Sequence, residues 1–209
     1  MDDKWKVGRV IARPYIGTKE GYFTRTSNRH DYALAPFSKT ALDSLKDAGL
    51  DVIGVGKIPD IFVNQGITRK IKTVSNEDGM NKTIELASDN FNGLAFINLV
   101  DFDAVYGHRR NAAGYGKAIE EFDVQLGELI NELKNDDLLM VTADHGNDPT
   151  YRGTDHTREQ VPLIIYSKQF NEMKVLNDSN SFGIIGSTIC DNFNVKYNGI
   201  GSSILELLK

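Results

Sequence analysis

The most regular pattern in the sequence is a helical one over residues 113–134, and it lies between two short apolar runs. Apolar side chains recur there at helical spacing: Tyr115, Ile119, Phe122, Leu126, Leu129, Ile130 and Leu133. The runs on either side, residues 94–100 and 138–141, are short enough to be buried strands. Because helices that alternate with short apolar strands are typical of parallel sheets, the pattern predicts an α/β fold with a mostly parallel sheet flanked by helices.

The rest of the chain extends this alternation. Further strands are predicted at residues 7–16, 50–55 and 161–166, and further helices at 38–48, 75–88, 184–192 and 202–208. Ser38 and Ser75 are the predicted N-caps of the first two of these helices. Residues 17–37 are polar and rich in arginine, and they end near Pro36, so we expect a loop or linker at a domain boundary there.

Composition limits the classes of function. A chain of 209 residues can bury one sizeable core and part of a second unit. The net charge of −5 argues against a nucleic-acid partner. No apolar run reaches the roughly 18 residues of a membrane span, and the first residues lack the apolar region of a secretory signal. A single cysteine, Cys190, excludes an intrachain disulfide and favours a cytoplasmic location.

Three of the four histidines lie among acids just after predicted strands. The loop after residues 94–100 carries Asp101, Asp103 and His108, and the loop after 138–141 carries Asp144, His145, Asp155 and His156. In parallel α/β sheets, sites gather at the carboxyl ends of strands. A single such histidine would most often be a solvated loop residue, but three together favour a metal site.

Seven candidate ligands exceed the needs of one tetrahedral ion and therefore suggest two. Paired ions are typical of phosphoryl transfer and hydrolysis, where they stabilise the attacking and leaving oxygens. The mixed oxygen and nitrogen ligands leave manganese, zinc and iron open. The absence of cysteine among them argues against a structural zinc site.

Four motifs resemble a known enzyme family. Residues 141–147 (VTADHGN) resemble the signature of the alkaline phosphatase superfamily, which includes phosphatases, phosphodiesterases and phosphoglycerate mutase. Residues 8–14 (GRVIARP), 98–110 (NLVDFDAVYGHRR) and 153–159 (GTDHTRE) are similar to bacterial phosphopentomutases. The resemblance implies interconversion of ribose or deoxyribose 1-phosphate and 5-phosphate, an isomerase reaction that uses two Mn²⁺ ions and a sugar bisphosphate as activator.

The resemblance also implies roles for individual residues. Asp103, His108 and His156 match the ligands of one manganese ion, while Asp144 and His145 match two ligands of the second. Asp101 and Asp155 are not ligands in that pattern. The positions that correspond to contacts with the pentose phosphate substrate are Arg9, Ile11, Arg25 and Lys57. For His30 we expect a loop histidine near the domain junction.

The resemblance covers only the C-terminal half of such an enzyme. The family's nucleophilic threonine and a further aspartate ligand of the second ion have no counterpart in this sequence. The implied organisation is a C-terminal remnant of a cap domain and linker at residues 1–37. The C-terminal part of an alkaline-phosphatase-like core follows at 38–209. We therefore expect the missing N-terminal half to be a partner, and the chain to be inactive without it.

Two other interpretations remain open at the level of sequence. The chain could belong to another phosphatase, phosphodiesterase or phosphoglycerate mutase of the same superfamily, although the GHRR and GTDHTRE segments disfavour this. It could also be a non-catalytic metal-binding or assembly module.

Overall fold

The structure, a computed structural model, describes residues 7–26 and 30–208. Its central element is a parallel sheet of three strands, β5 (Asp51–Val55), β6 (Arg69–Ile71) and β7 (Gly93–Ile97), in the order β6-β5-β7. The central strand β5 is almost completely buried, with Val52, Ile53 and Val55 no more than 1% exposed. This confirms the expected strands near residues 50–55 and 94–100, whereas β6 was not predicted because its charged sequence RKI has no strand pattern.

Helices pack on both faces of this sheet. The α-helices of the described residues are α1 (Ala41–Asp47), α2 (Ile58–Ile61), α3 (Asn76–Ser88), α4 (Ala112–Glu132), α5 (Gly183–Asn192) and α6 (Leu205–Leu208). On one face Val52 joins Leu42 and Leu45 of α1 and Cys190 of α5, and on the other Ile53 and Val55 contact Leu86 of α3. Alternate residues of β5 thus anchor two layers of helices, which confirms the α/β fold class. Within the described residues, no helix is both long and apolar enough to cross a membrane.

The first helix begins later than predicted. Thr40, not Ser38, is the N-cap of α1: its hydroxyl accepts a hydrogen bond from the backbone N–H of Asp43, and the Asp43 carboxylate accepts from the backbone N–H of Thr40 at 2.7 Å. Such a capping box needs an acidic or amide side chain three residues after the cap. Ser38 has Ala41 at that position, so Thr40 is the better cap. The predicted cap Ser75 is confirmed as the N-cap of α3.

The N-terminal segment contains more strand than predicted. Strand β1 (Arg9–Ala12) pairs antiparallel with β4 (His30–Ala33), and β2 (Tyr15–Ile16) pairs with β3 (Thr24–Arg25). The expected loop over residues 17–37 is therefore wrong where β3 and β4 lie, and His30 lies on a strand rather than in a loop. The sequence HDYA of β4 has no apolar alternation, so only its pairing with β1 reveals it. The division into units at residue 37 remains a prediction.

The C-terminal strands form a separate pair. Strand β8 (Leu139–Thr142) lies antiparallel to β9 (Leu163–Tyr166). Among the described strands, β8 pairs only with β9, and β7 pairs only with β5. Residues of both β7 and β8 line one cleft of about 2780 Å³. The sheet is therefore less continuous than the sequence pattern predicted.

A π-helical segment, Phe102–Gly107, replaces the loop predicted after residues 94–100. The backbone N–H of His108 donates to the carbonyl oxygen of Asp103 at 2.9 Å, which closes the wide turn of such a helix. At its end Gly107 is buried against the side chain of Asn147: a Cβ at Gly107 would lie 2.5 Å from Asn147 Nδ2. Glycine is needed here because the two loops approach so closely.

The capping box predicts acid-sensitive stability. Burial alone would raise the pKa of the Asp43 carboxyl, but hydrogen bonds from Gln65 and Thr40 outweigh burial and hold the pKa below its usual range. Such a group stabilises the fold above its unfolded pKa of about 3.9 and loses that contribution as the pH falls through the folded pKa. We expect Asp43→Asn to lower the free energy of unfolding by about 0.5–2 kcal/mol at pH 7. Urea titrations should show this difference shrinking below about pH 4.

The control for this prediction is Asp123→Asn, which changes an exposed carboxylate on α4. It should shift stability by less than about 0.5 kcal/mol at either pH. An equal loss for Asp43→Asn at pH 7 and pH 3 would contradict the assigned role of the carboxylate.

The close approach at Gly107 predicts a second effect on stability. Gly107→Ala should lower the free energy of unfolding by about 1–3 kcal/mol, because the new methyl group must displace the Asn147 amide. The matched control is Gly127→Ala in α4, where an added Cβ meets no heavy atom within 4 Å. That change should stabilise the helix by up to about 1 kcal/mol. Equal urea midpoints for the two variants would refute the prediction.

Candidate metal centre

Two loops bring the predicted metal ligands together. The π-helical segment after β7 supplies Asp103 and, at its end, His108. The loop after β8 supplies Asp144, His145 and His156, and the pairing of Gly146 with Thr157 brings its two ends together. We call these five residues the acid–histidine cluster. The prediction that sites gather after strands 94–100 and 138–141 therefore agrees with the folded chain.

Asp103, His108 and His156 form the tightest part of the cluster. Asp103 Oδ1 lies 3.4 Å from His108 Nε2 and 3.2 Å from His156 Nε2, and the two Nε2 atoms are 3.2 Å apart. Ligands of one tetrahedral ion at about 2.0–2.1 Å would lie roughly 3.4 Å from each other. The three atoms thus have the mutual spacing of ligands to a common cation.

His145 lies against the same group. Its ring stacks on that of His156 with centroids 3.6 Å apart, and Asp103, His145 and His156 offer ligand atoms within 4.8 Å of one another. Asp144 Oδ2 lies 3.7 Å from His145 Nε2, and its side chain is 76% exposed. All five predicted ligands are therefore neighbours, while their division between two ions remains a prediction.

The hydrogen bonds of the histidine rings favour metal binding. His108 Nδ1 lies 2.5 Å from the carbonyl oxygen of Thr154, and His145 Nδ1 lies 3.2 Å from that of Gly146. Because a carbonyl oxygen can only accept, Nδ1 is the donor in each of these contacts, and the neutral form of each ring with that tautomer presents Nε2 as its acceptor. A backbone carbonyl that orients a histidine in this way is common around bound metals.

Two supporting residues were not predicted from the sequence. Asn147 donates through Nδ2 to Asp103 Oδ1 at 2.7 Å and is only 8% exposed. Arg110 donates to Asn147 Oδ1, also at 2.7 Å. The signal for Asn147 was its place in the TADHGN motif, whereas Arg110 had no signal beyond its position in the GHRR segment.

The other acidic and hydroxyl residues of these two loops form hydrogen bonds within the protein, through either the side chain or the backbone. Asp101 Oδ2 accepts from the backbone N–H of Asn76 at 2.7 Å, which ties Asp101 to the start of α3. Asp155 contributes its backbone carbonyl, which accepts from Arg110. The Thr142 hydroxyl donates to the carbonyl oxygen of Pro162 at 2.8 Å, and that of Thr157 donates to Glu159 at 2.6 Å.

Two of the four predicted substrate-binding residues lie at the cleft that contains most of the acid–histidine cluster. Arg9 on β1 and Lys57 before α2 line the same cleft as Asp103, Asp144, His145 and His156. Ile11 lies on β1, two residues from Arg9, and is not part of the described lining of this cleft. Arg25 lies on β3, but its side chain falls outside the described residues.

Tyr115 lies beside the cluster at the start of α4. Burial raises the pKa of its phenol, and the negative charges of Asp103 and Glu159 raise it further. The phenol therefore stays protonated at neutral pH and adds no negative charge next to the metal ligands.

Comparison with known proteins agrees with this chemistry. A family model described as the Metalloenzyme superfamily matches residues 10–197. Phosphopentomutases from Agathobacter rectalis, Clostridium botulinum and Clostridium tetani are 59%, 58% and 57% identical to the chain over 210 aligned residues. Each alignment covers all of this chain but 53% of the relative, so the chain spans about half the length of these relatives.

The expected similarity to phosphopentomutases is thus confirmed, as is the expectation that it covers about half of such a protein. The family match includes every residue of the acid–histidine cluster. The chain therefore belongs to the Metalloenzyme superfamily.

Proposed function

We propose that this chain is the metal-binding part of a phosphopentomutase, an isomerase that interconverts ribose or deoxyribose 1-phosphate and 5-phosphate. The observation that carries the proposal is the convergence of Asp103, His108 and His156 within 3.4 Å of one another. Similarity to phosphopentomutases at 57–59% identity supports this particular reaction.

Two divalent ions, which we propose to be Mn²⁺, would offset phosphate charge and stabilise the attacking and leaving oxygens when bound. Asp103, His108 and His156 would hold one, and Asp144 and His145 would contribute to the second. The donor set of imidazole and carboxylate suits manganese, zinc or iron. The contacts of His108 Nδ1 and His145 Nδ1 with backbone carbonyl oxygens support binding, because they favour the tautomer that presents Nε2 to a metal.

The basic side chains that line the cleft would bind the sugar phosphate. Arg9 and Lys57 line the cleft that contains four of the five cluster residues. Arginine can bind a phosphate through two parallel hydrogen bonds, and lysine adds a mobile point charge. We propose that both bind the pentose phosphate, with Arg25 adding charge and Ile11 an apolar contact.

The proposed reaction needs residues that this sequence lacks. In the mechanism implied by the family, a threonine that a sugar bisphosphate has already phosphorylated gives its phosphoryl group to one oxygen of the sugar phosphate. The threonine then takes back the phosphoryl group from the other oxygen of the resulting bisphosphate intermediate. A covalent acceptor keeps the phosphoryl group from water. Thr142 and Thr157 are poor candidates because both hydroxyls donate to protein oxygens. We therefore propose that the preceding half of the longer protein supplies the threonine.

The substrates would place the enzyme in pentose phosphate and nucleotide metabolism. A cytoplasmic location fits this role, and it fits a sequence with one cysteine, the buried Cys190, which has no second cysteine for an intrachain disulfide.

The metal centre can be tested directly on the chain. We expect Mn²⁺ to bind in isothermal titration calorimetry, because three ligand atoms already have the spacing of a coordinated set. Asp103→Asn and His156→Ala should each weaken binding at least about tenfold, since each removes a ligand. The matched control, Asp155→Asn, should bind as the unchanged chain does, because Asp155 contributes only its backbone carbonyl. Absence of binding by a folded sample would refute the site.

The catalytic proposal can be tested with a chimera. The chain alone, given Mn²⁺, ribose 1-phosphate and a priming sugar bisphosphate, should form no ribose 5-phosphate. Joined to the part of the Agathobacter rectalis relative that it does not align with, it should form ribose 5-phosphate. His156→Ala should lower turnover of the chimera at least about a hundredfold.

The substrate panel decides between this reaction and those of other superfamily members. Bis(4-nitrophenyl) phosphate and 3-phosphoglycerate should not be turned over by the chimera. Turnover of ribose 1-phosphate by the chain alone would contradict the need for the missing half. Turnover of the diester or the phosphoglycerate, but not of the pentose phosphate, would replace the proposed reaction.

A further inference from the structure

We propose that Arg110 is a positioning residue that assembles the metal centre by joining its two loops. This inference rests on the proposed metal site and adds to it a residue that is not itself a ligand. Arg110 lies two residues after His108, at the end of the loop that also carries Asp103. Its side chain, however, contacts mainly the other loop, which carries His145 and His156.

The guanidinium group reaches five acceptors. Nε donates to the carbonyl oxygen of Gly153 at 2.5 Å, and Nη2 donates to that of Asp155 at 2.7 Å. Nη1 lies within hydrogen-bonding distance of the carbonyl oxygens of Gly107 and Asp148 and of Asn147 Oδ1. Four of these acceptors belong to residues 147–155, which lead directly into His156.

These contacts reach the ligands by three routes. The Asp155 carbonyl group, which accepts from Nη2, belongs to the peptide bond that joins Asp155 to His156. Gly153, held by Nε, precedes Thr154, whose carbonyl orients the His108 ring. The hydrogen bond to Asn147 Oδ1 fixes the orientation of that amide, so its Nδ2 must point toward Asp103. A single side chain thereby influences all three ligands of the tightest group.

The backbone of Arg110 supports a specific role. Its φ of 52° lies in the left-handed region, which non-glycine residues seldom occupy. Arg110 also differs from its neighbour Arg109, which is exposed. A side chain that makes five contacts from a strained backbone has its position determined by the surrounding structure.

Lysine should not substitute for this arginine. The planar guanidinium donates in several fixed directions at once, while an ammonium group is a compact donor on a flexible stem. The acceptors here are all neutral oxygens spread around the group, so geometry matters more than charge. Arg110→Lys keeps the charge and most of the aliphatic stem. It therefore isolates the contribution of the planar guanidinium group.

The test measures Mn²⁺ binding by calorimetry in the full 209-residue chain. Arg110→Lys should weaken binding about 10- to 100-fold, the usual range for residues that orient metal ligands. Arg110→Ala should weaken it at least as much, and millimolar methylguanidinium should restore part of the affinity. The matched control Arg109→Lys should leave binding unchanged. Circular dichroism and urea midpoints establish that each variant is folded.

The possible outcomes distinguish a failure of the positioning role of Arg110 from a failure of the proposed metal site. If the unchanged chain fails to bind Mn²⁺, the proposed metal site fails, whatever Arg110 does. If the unchanged chain binds and Arg110→Lys binds within twofold of it, the positioning role is refuted and the metal site stands. Recovery with methylguanidinium would support positioning, because a general loss of folding would not be reversed by a small cation. Failure of methylguanidinium to improve binding by folded Arg110→Ala would count against the proposal.

Discussion

The candidate metal centre depends on the contact between two loops that lie far apart in the chain. Asn147 Nδ2 donates to Asp103 Oδ1 across 44 positions of sequence, and Gly107 is small enough for the amide to approach. Without this approach, Asp103 and His108 on one loop would not face His156 on the other. The hydrogen bond that the Asn147 amide donates to Asp103 also fixes the carboxylate, so its Oδ1 atom lies close to both Nε2 atoms.

The two strands that lead into these loops also border the cleft beside the candidate metal centre. Strand β7 belongs to the parallel sheet, and β8 belongs to a separate antiparallel pair. Within the described part of the chain each has an unpaired edge, and residues of both strands line one cleft. An unpaired strand edge presents backbone donors and acceptors that favour pairing with another strand. The cleft between the edges therefore has the chemistry of a surface that a further part of a longer protein could cover. This agrees with a chain that spans about half the length of its relatives.

The sequence predicted the regular elements where local pattern and tertiary packing agree. Helix α4 could be recognised because its apolar side chains recur at helical spacing, and strand β5 because it is a short apolar run that is buried on both faces. Strand β4 and strand β6 could not, because HDYA and RKI owe their conformation to backbone pairing with distant strands. The start of α1 was misplaced by two residues, since the choice between Ser38 and Thr40 depended on the acid at Asp43.

The sequence by itself determined the types and order of the candidate ligands, because Asp103, His108, Asp144, His145 and His156 all follow apolar runs that become strands. Only the tertiary structure decided that His145 stacks on His156 and that Asp101 turns away to bond the start of α3. It alone revealed the contacts of Arg110. The physical reason is that ligand identity is a property of single side chains, whereas their mutual distances depend on hydrogen bonds between loops that the local sequence does not encode.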